Sequence, residues 1–70
     1  MDIELTIGER ILIFRRRKGL SREQLAEQCD ISSEVVSKYE SGIQEPDLDV
    51  LVAISAVLGV TANRLLCGFD

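Results

Sequence analysis

Residues 21 to 40, SREQLAEQCDISSEVVSKYE, have the apolar pattern of two short helices that cross after a sharp turn. The apolar residues placed where these helices would touch are Leu25, Ala26, Cys29, Ile31, Val36 and Tyr39. Ser21 and Gln24 have the spacing of a capping box, which starts a helix. The segment is therefore predicted to be a helix-turn-helix, a motif whose second helix normally lies in the major groove of DNA.

Capping and stop signals divide the rest of the chain into helices. The predicted caps are Thr6, Ser21, Ser32, Asp47 and Thr61. The predicted helix ends are Gly19, Asp30 (in a left-handed turn), Gly42, Gly59 and Gly68. The predicted core-facing residues of the first and fourth helices are Ile7, Ile11, Phe14, Leu48, Leu51, Ile54, Ser55 and Leu58. Five short helices predict one compact all-α domain over residues 1–70, with an N-terminal segment at 1–6 and the helix-turn-helix at 21–41.

The residue types present exclude several classes of protein. The chain has no histidine, and its two cysteines, Cys29 and Cys67, are too far apart in sequence for a Cys-x-x-Cys site. We therefore expect no metal, no cofactor and no enzymatic activity. No stretch approaches the roughly 20 apolar residues that span a bilayer, and the first ten residues lack the basic start of a secretory signal. Reduced cysteines and a cytoplasmic location are expected.

The distribution of charge qualifies the net charge of −4, which by itself opposes binding to DNA. Six of the eight basic residues lie between Arg10 and Arg22. Residues 23 to 70 carry nine acidic residues and only two basic ones, Lys38 and Arg64. A protein that is acidic overall can still present one basic surface to phosphates. The charge balance therefore weakens the prediction of DNA binding without reversing it.

Several short motifs follow one another at a regular spacing along the chain. They are IGERI at 7–11, Arg15, KGLS at 18–21, QLAE at 24–27, YESG at 39–42, Pro46 and LGV at 58–60. Together they resemble the lambda-repressor/Cro (XRE) family of helix-turn-helix domains from Ile7 to Gly68. The resemblance implies a five-helix fold in which the second and third helices form the DNA-reading unit. Fold alone does not establish function, which depends on the surface residues.

The resemblance also implies which residues contact double-stranded DNA. The candidates for base edges in the major groove are Ser32, Ser33, Glu34, Ser37 and Lys38. The candidates for phosphates are Arg22, Gln44 and Arg16. Arg16 belongs to a basic run that either attracts DNA at long range or is simply solvated, and both interpretations stay open. Relatives often carry a basic residue in the loop after Gly42, whereas this loop reads Ile-Gln-Glu, which weakens that contact.

In this family the arginine at the position of Arg15 pairs with the glutamate at the position of Glu40. The resemblance therefore implies an ion pair that holds the recognition helix against the first helix. Direct contact between Arg15 and phosphate is the alternative.

Two apolar surfaces are candidates for contact with another protein. Relatives usually bind DNA as homodimers, and the residues expected in a dimer interface are Val50, Val57, Ala62, Leu66 and Phe69. Leu12 and Ile13 form a competing patch, because relatives usually have polar residues there. Either the N-terminal segment, with Ile3 and Leu5, covers this patch, or it binds a second protein. Coverage by the N-terminal segment is favoured.

The function predicted from sequence is a dimeric, sequence-specific repressor from a bacterium or phage, acting at a pseudo-palindromic operator. The alternative is a protein-interaction module on the same fold, such as an antitoxin or an anti-repressor. The acidic net charge, Glu34 and the loop without a basic residue favour that alternative. A third interpretation is a fragment of a larger regulator.

Overall fold

A computed structural model describes residues 4–68, which form five α-helices and no strand. The helices are α1 (Ile7–Lys18), α2 (Arg22–Cys29), α3 (Ser33–Ser41), α4 (Leu48–Leu58) and α5 (Ala62–Cys67). The predicted all-α fold and its five helices are confirmed. In this part of the chain no helix is long and apolar enough to cross a membrane. Cys29 is half-buried and Cys67 is exposed, and both are free thiols.

The helix boundaries follow from side chains that complete the hydrogen bonding of the backbone. Each helix begins after a predicted cap whose side chain accepts a hydrogen bond from the amide three residues later. Thr6 and Ser21 form full capping boxes. Each helix ends at a residue in the left-handed conformation, and Asp30, with φ of 58°, is the one such residue that is not glycine within 4–68. All predicted caps and helix ends are confirmed.

Five fully buried side chains, one from each helix, pack together in a single core. These residues are Ile11, Leu25, Val36, Ile54 and Leu65. Burying a side chain of this size contributes about 1.5–3 kcal/mol relative to leaving it exposed. Because the core includes both helices of the helix-turn-helix, it fixes α3 relative to the rest of the domain.

The fourth helix departs from the prediction at one residue. Leu48, which was predicted to face the core, is 66% exposed. It is the first residue of α4, directly after the cap, so its side chain projects beyond the end of the core. Val50 and Val57 are instead half-buried and pack against the core. The helical spacing is correct for the middle of α4 but fails at its first turn.

The backbones of α1 and α3 approach each other closely at Gly8. A Cβ atom on Gly8 would overlap the carbonyl oxygen of Tyr39, and it would lie 2.9 Å from the carbonyl carbon of Tyr39 and 3.1 Å from Cα of Glu40. Because these are backbone atoms, they cannot rotate away as a side chain can. Glycine at this position therefore allows α1 to lie directly on the end of α3.

Candidate nucleic-acid interface

The outer side of α3 carries the residues that were predicted to reach base edges. Ser33, Ser37 and Lys38 are half-buried, whereas Glu34 is exposed. Ser32 lies at the N-cap, and its Oγ accepts a hydrogen bond from the Val35 amide at 3.1 Å. The capping role predicted for Ser32 is therefore present, although its hydroxyl hydrogen remains available to donate. The structure thus places the five candidates along α3 and at its N-cap, with Lys38 in the last turn of the helix.

Lys38 forms an ion pair within α3. Its Nζ lies 3.5 Å from Oε1 of Glu34, one turn earlier, and the two side chains are 42% and 78% exposed. An exposed pair with this spacing stabilises a helix by only about 0.3–0.5 kcal/mol. The ammonium of Lys38 can therefore leave Glu34 for another acceptor at little cost.

A buried network of one carboxylate and two guanidinium groups lies behind α3. Arg15 Nε donates to Glu40 Oε2 at 2.7 Å, and Arg15 Nη2 donates to Oε1 at 3.2 Å. Arg15 Nη1 also donates to the Leu20 carbonyl at 2.9 Å. The predicted pair between Arg15 and Glu40 is present. Because it joins α1 to the last turn of α3, it fixes the position of α3.

The third member of this network, Arg22, was predicted only as a phosphate contact. Its Nε donates to Glu40 Oε1 at 2.9 Å, and its side chain is 46% exposed. No sequence motif indicates this bond, because Arg22 and Glu40 belong to different helices and lie 18 residues apart. The contact links the first residue of α2 to the carboxylate that anchors α3.

The pKa of Glu40 reflects competition between burial and its partners. Burial alone raises this pKa, but the hydrogen bonds and positive charges of Arg15 and Arg22 outweigh burial and hold it below its ordinary value of 4.5. The carboxylate is therefore charged in the folded protein at neutral pH.

This lowered pKa predicts an acid-dependent loss of stability. Since Glu40 binds a proton more weakly in the folded than in the unfolded chain, its contribution is complete above pH 4.5 and is lost as pH falls through the lower folded pKa. We expect the wild type to be more stable than Glu40→Gln at pH 7, and this difference to shrink on acidification. Urea unfolding of both proteins from pH 7 to about pH 3 measures it. A difference that stays constant over this range would contradict the assignment.

A polar depression of about 280 Å³ lies at the start of α2. It is lined by Arg15, Arg16, Ser21, Arg22 and Glu23, and is called the basic pocket below. Two of the predicted phosphate contacts, Arg16 and Arg22, thus share one pocket next to the N-terminal amides of α2. Helix N-termini and guanidinium groups both favour anions.

The third predicted phosphate contact, Gln44, lies in the loop after α3. The amides of Ile43 and Gln44 both donate to the Lys38 carbonyl, at 3.0 and 3.3 Å. The loop is therefore tied to the end of α3, and the side chain of Gln44 is exposed beside it.

The residues predicted for a dimer interface differ in their exposure. Val50, Val57 and Ala62 are half-buried, and Leu66 is 41% exposed. Phe69 lies outside the described residues. Val50 and Val57 already pack on the core of their own chain, so Leu66 offers the larger accessible apolar side chain.

The competing patch at Leu12 and Ile13 is half-buried. Leu5, from the N-terminal segment, lines the same pocket as Ile13, which agrees with partial coverage of the patch by that segment. Ile3, which was also expected nearby, lies outside the described residues.

Comparisons with known proteins identify similar sequences and structures. A family model described as helix-turn-helix matches residues 11–65. The SPbeta prophage-derived uncharacterized HTH-type transcriptional regulator YonR of Bacillus subtilis (strain 168) is 41% identical over 61 residues, which are 87% of this chain and 56% of YonR. The chain spans about half or less of the length of the curated relatives that it matches first.

Two solved proteins share the fold. The P22 c2 repressor in complex with a synthetic operator matches with a TM-score of 0.86 and 27% identity, covering 90% of this chain and 96% of that chain. The complex of DNA with SinR, which is described as the master regulator for biofilm formation, matches with a TM-score of 0.81 and 36% identity. The match covers 86% of this chain and 97% of the SinR chain. The complex of SinR with SinI matches with a TM-score of 0.82 and 37% identity, and the match covers 87% of this chain and 60% of that chain.

Proposed function

The chain belongs to the helix-turn-helix family and has its lambda-repressor-like fold, and we propose that it is a cytoplasmic, sequence-specific transcriptional regulator that binds double-stranded DNA. The observation that carries this proposal is the position of α3. Ser33, Ser37 and Lys38 lie on its outer side, and the buried ion network fixes its last turn. The complexes of P22 c2 with an operator and of SinR with DNA support the same function.

The proposed reading of bases uses side chains from the first to the last turn of α3. Lys38 leaves its weak pair with Glu34 and donates to a guanine acceptor or to a phosphate. Ser33 and Ser37 donate to or accept from base edges, with little power to discriminate between bases. Glu34, once released, accepts from a cytosine amino group and disfavours sequences without that group. Most of the discrimination is therefore assigned to Glu34 and Lys38.

The proposed phosphate contact uses the basic pocket. Glu40 holds the Nε of Arg22, and within residues 4–68 the two Nη groups of Arg22 form no hydrogen bond with another group. They are thus available to donate to one phosphate from an orientation that the protein has already fixed. Arg16 and the amides at the start of α2 add to the same anion site, and Gln44 contacts the DNA backbone from the loop after α3.

The proposed mechanism is repression by occupancy of an operator, without a cofactor. Two chains related by a two-fold axis would read half-sites about 34 Å apart, one turn of DNA. We propose that the dimer interface includes Val50, Val57, Ala62 and Leu66, and that Phe69, outside the described residues, belongs to it as well. Because the net charge of −4 limits long-range attraction to DNA, we expect the affinity to depend on the local contacts of Arg16, Arg22 and Lys38.

Two substitutions test the assigned roles on a DNA site selected from a random pool. Lys38→Ala should weaken binding to that site by about 1–3 kcal/mol and affect unrelated DNA much less. Arg22→Ala should weaken binding to every sequence and reduce the slope of log K against log salt by about 1. Fluorescence anisotropy at several salt concentrations measures both effects.

A matched control is Lys18→Ala, which removes one positive charge from the end of α1, where the ammonium lies beside Gly59. Lys18→Ala should weaken binding to the selected site and binding to unrelated DNA by less than Arg22→Ala does. Equal loss on all sequences for Lys38→Ala and Arg22→Ala would contradict the division into base and phosphate contacts.

A protein-interaction module is the second candidate, and one observation favours it. The loop after α3 presents Ile43, 77% exposed, beside Gln44 and Glu45, where a DNA-binding loop would benefit from a cation. Such a module would fold normally and bind no DNA sequence selectively. Selection of DNA from a randomised pool by the wild-type chain separates the two candidates.

A further inference from the structure

A second pocket, of about 180 Å³, lies between α1 and the end of α5, and its walls combine apolar and cationic groups. Leu5, Ile13 and Phe14 provide apolar surface. The guanidinium carbons of Arg17 and Arg64 lie 5.6 and 5.7 Å from the centre of the Phe14 ring. Both distances are within the range of cation–π attraction. We call this feature the arginine–aromatic pocket.

One wall of this pocket is held in place by hydrogen bonds. Arg10 Nη1 donates to the carbonyls of Leu65 and Leu66 at 3.2 and 2.8 Å. These bonds satisfy carbonyls in the last turn of α5 and join that turn to α1. The pocket is therefore preformed, which reduces the entropy lost on binding.

The charge of the pocket is opposite to that of the whole chain. Three guanidinium groups line it, although the net charge of the protein is −4. Among residues 4–68, neither Arg10 nor Arg17 forms an ion pair with a carboxylate. A ligand that brings negative charge to the rim would therefore gain attraction here.

The size of the pocket limits what can enter. Sites for complete small-molecule ligands usually have volumes of about 300–1,000 Å³. A pocket of about 180 Å³ instead matches one leucine or phenylalanine side chain. A ligand for this pocket needs one apolar side chain to enter it and carboxylates to meet the guanidinium groups at its rim. An acidic peptide segment has both features. We propose that the arginine–aromatic pocket binds one apolar side chain from an acidic segment of a partner protein.

This pocket is separate from the proposed DNA-binding surface. The pocket-lining residues of α1 lie on one face of the helix at helical spacing: Arg10, Ile13, Phe14 and Arg17. Arg15 and Arg16 face the basic pocket instead. A partner could therefore bind while α3 is on DNA, and the inference stands or fails independently of DNA binding.

Three synthetic peptides test this inference with the wild-type chain. The probe is acetyl-Asp-Glu-Phe-Glu-Asp-amide, the second peptide has serine in place of phenylalanine, and the third has lysine in place of every acid. Only the first should bind, with amide shifts in ¹⁵N NMR spectra concentrated at Leu5, Ile13, Phe14 and Arg17. Absence of saturable binding at millimolar peptide, or equal binding of the serine or lysine peptide, would overturn the proposal.

A pair of charge reversals locates the site. Arg17→Glu and Lys18→Glu make the same change of charge in the last turn of α1, but only Arg17 lines the pocket. Arg17→Glu should weaken binding of the acidic peptide about fivefold to tenfold. Lys18→Glu should weaken it by less than about twofold, because exposed charges outside the contact contribute little to binding. Equal weakening by both variants would show general charge attraction and would also overturn the proposal.

Discussion

Gly8→Ala is expected to destabilise the folded protein by about 3 kcal/mol, although alanine is the better helix former by about 1 kcal/mol. The added Cβ would overlap the Tyr39 carbonyl oxygen and lie 3.1 Å from Cα of Glu40. Relief requires α1 and α3 to move apart, which also stretches the bond between Arg15 and Glu40. Because propensity and packing predict opposite signs here, the sign of the change in the free energy of unfolding decides between them.

Gly19→Ala is the matched control for this substitution. Gly19 has a left-handed φ of 76°, and an added Cβ would have no neighbour within 4 Å. The Gly19→Ala variant should therefore lose only about 1–2 kcal/mol of stability, from the backbone strain of alanine in this conformation. Urea unfolding followed by circular dichroism gives both values. A Gly8→Ala variant as stable as the wild type would contradict the close approach of α1 to α3.

Glu40→Ala is the second substitution with a large expected effect, about 3–5 kcal/mol of lost stability. It leaves the guanidinium of Arg15, a residue that is 7% exposed, without a carboxylate in the protein interior. The bond from Arg15 to the Leu20 carbonyl remains but does not neutralise the charge. Arg22, being 46% exposed, turns to solvent at small cost. The loss should therefore come mainly from the pair between Glu40 and Arg15.

Glu34→Ala provides the contrast within the same helix. It removes a glutamate whose pair with Lys38 is longer, at 3.5 Å, and exposed to solvent. We expect a change of less than about 0.5 kcal/mol. Similar effects of the two substitutions on the free energy of unfolding would contradict the structural role assigned to Glu40.

The helix boundaries could be predicted from sequence because the signals that set them are local. Thr6 with Glu9, and Ser21 with Gln24, lie three residues apart, so each pair can satisfy two backbone amides at the start of a helix without any distant residue. Asp30 and the glycines end helices through a backbone conformation that few other residues adopt. The order of motifs from Ile7 to Gly68 then predicted the family and the fold, and both are confirmed.

Other features depend on distant parts of the chain and could not be predicted in this way. Leu48 fits the helical spacing of α4, but its burial depends on where the core ends. The contact of Arg22 with Glu40 joins the start of α2 to the end of α3, and no periodicity relates these positions. The contact made by Gly8 is of the same kind, because a glycine in a helical pattern is unfavourable by about 1 kcal/mol relative to alanine but does not show which backbone it approaches.

The proposed DNA-binding site also has features that the sequence predicts and features that only the structure shows. The resemblance supplied its candidate residues, and the structure adds the links among them. Arg22 is both a candidate phosphate contact and a partner of Glu40, and Lys38 is both a candidate base contact and a partner of Glu34. These pairs determine which side chains are already oriented and which must first be released.

The most direct test of the proposed function is selection of DNA from a randomised duplex pool by the wild-type chain at about 0.1 M salt, followed by sequencing. We expect enrichment of one two-fold-symmetric site, with half-sites about one helical turn apart. Folded protein that retains DNA without enriching any sequence, or retains none, would contradict sequence-specific DNA binding and favour the protein-interaction module.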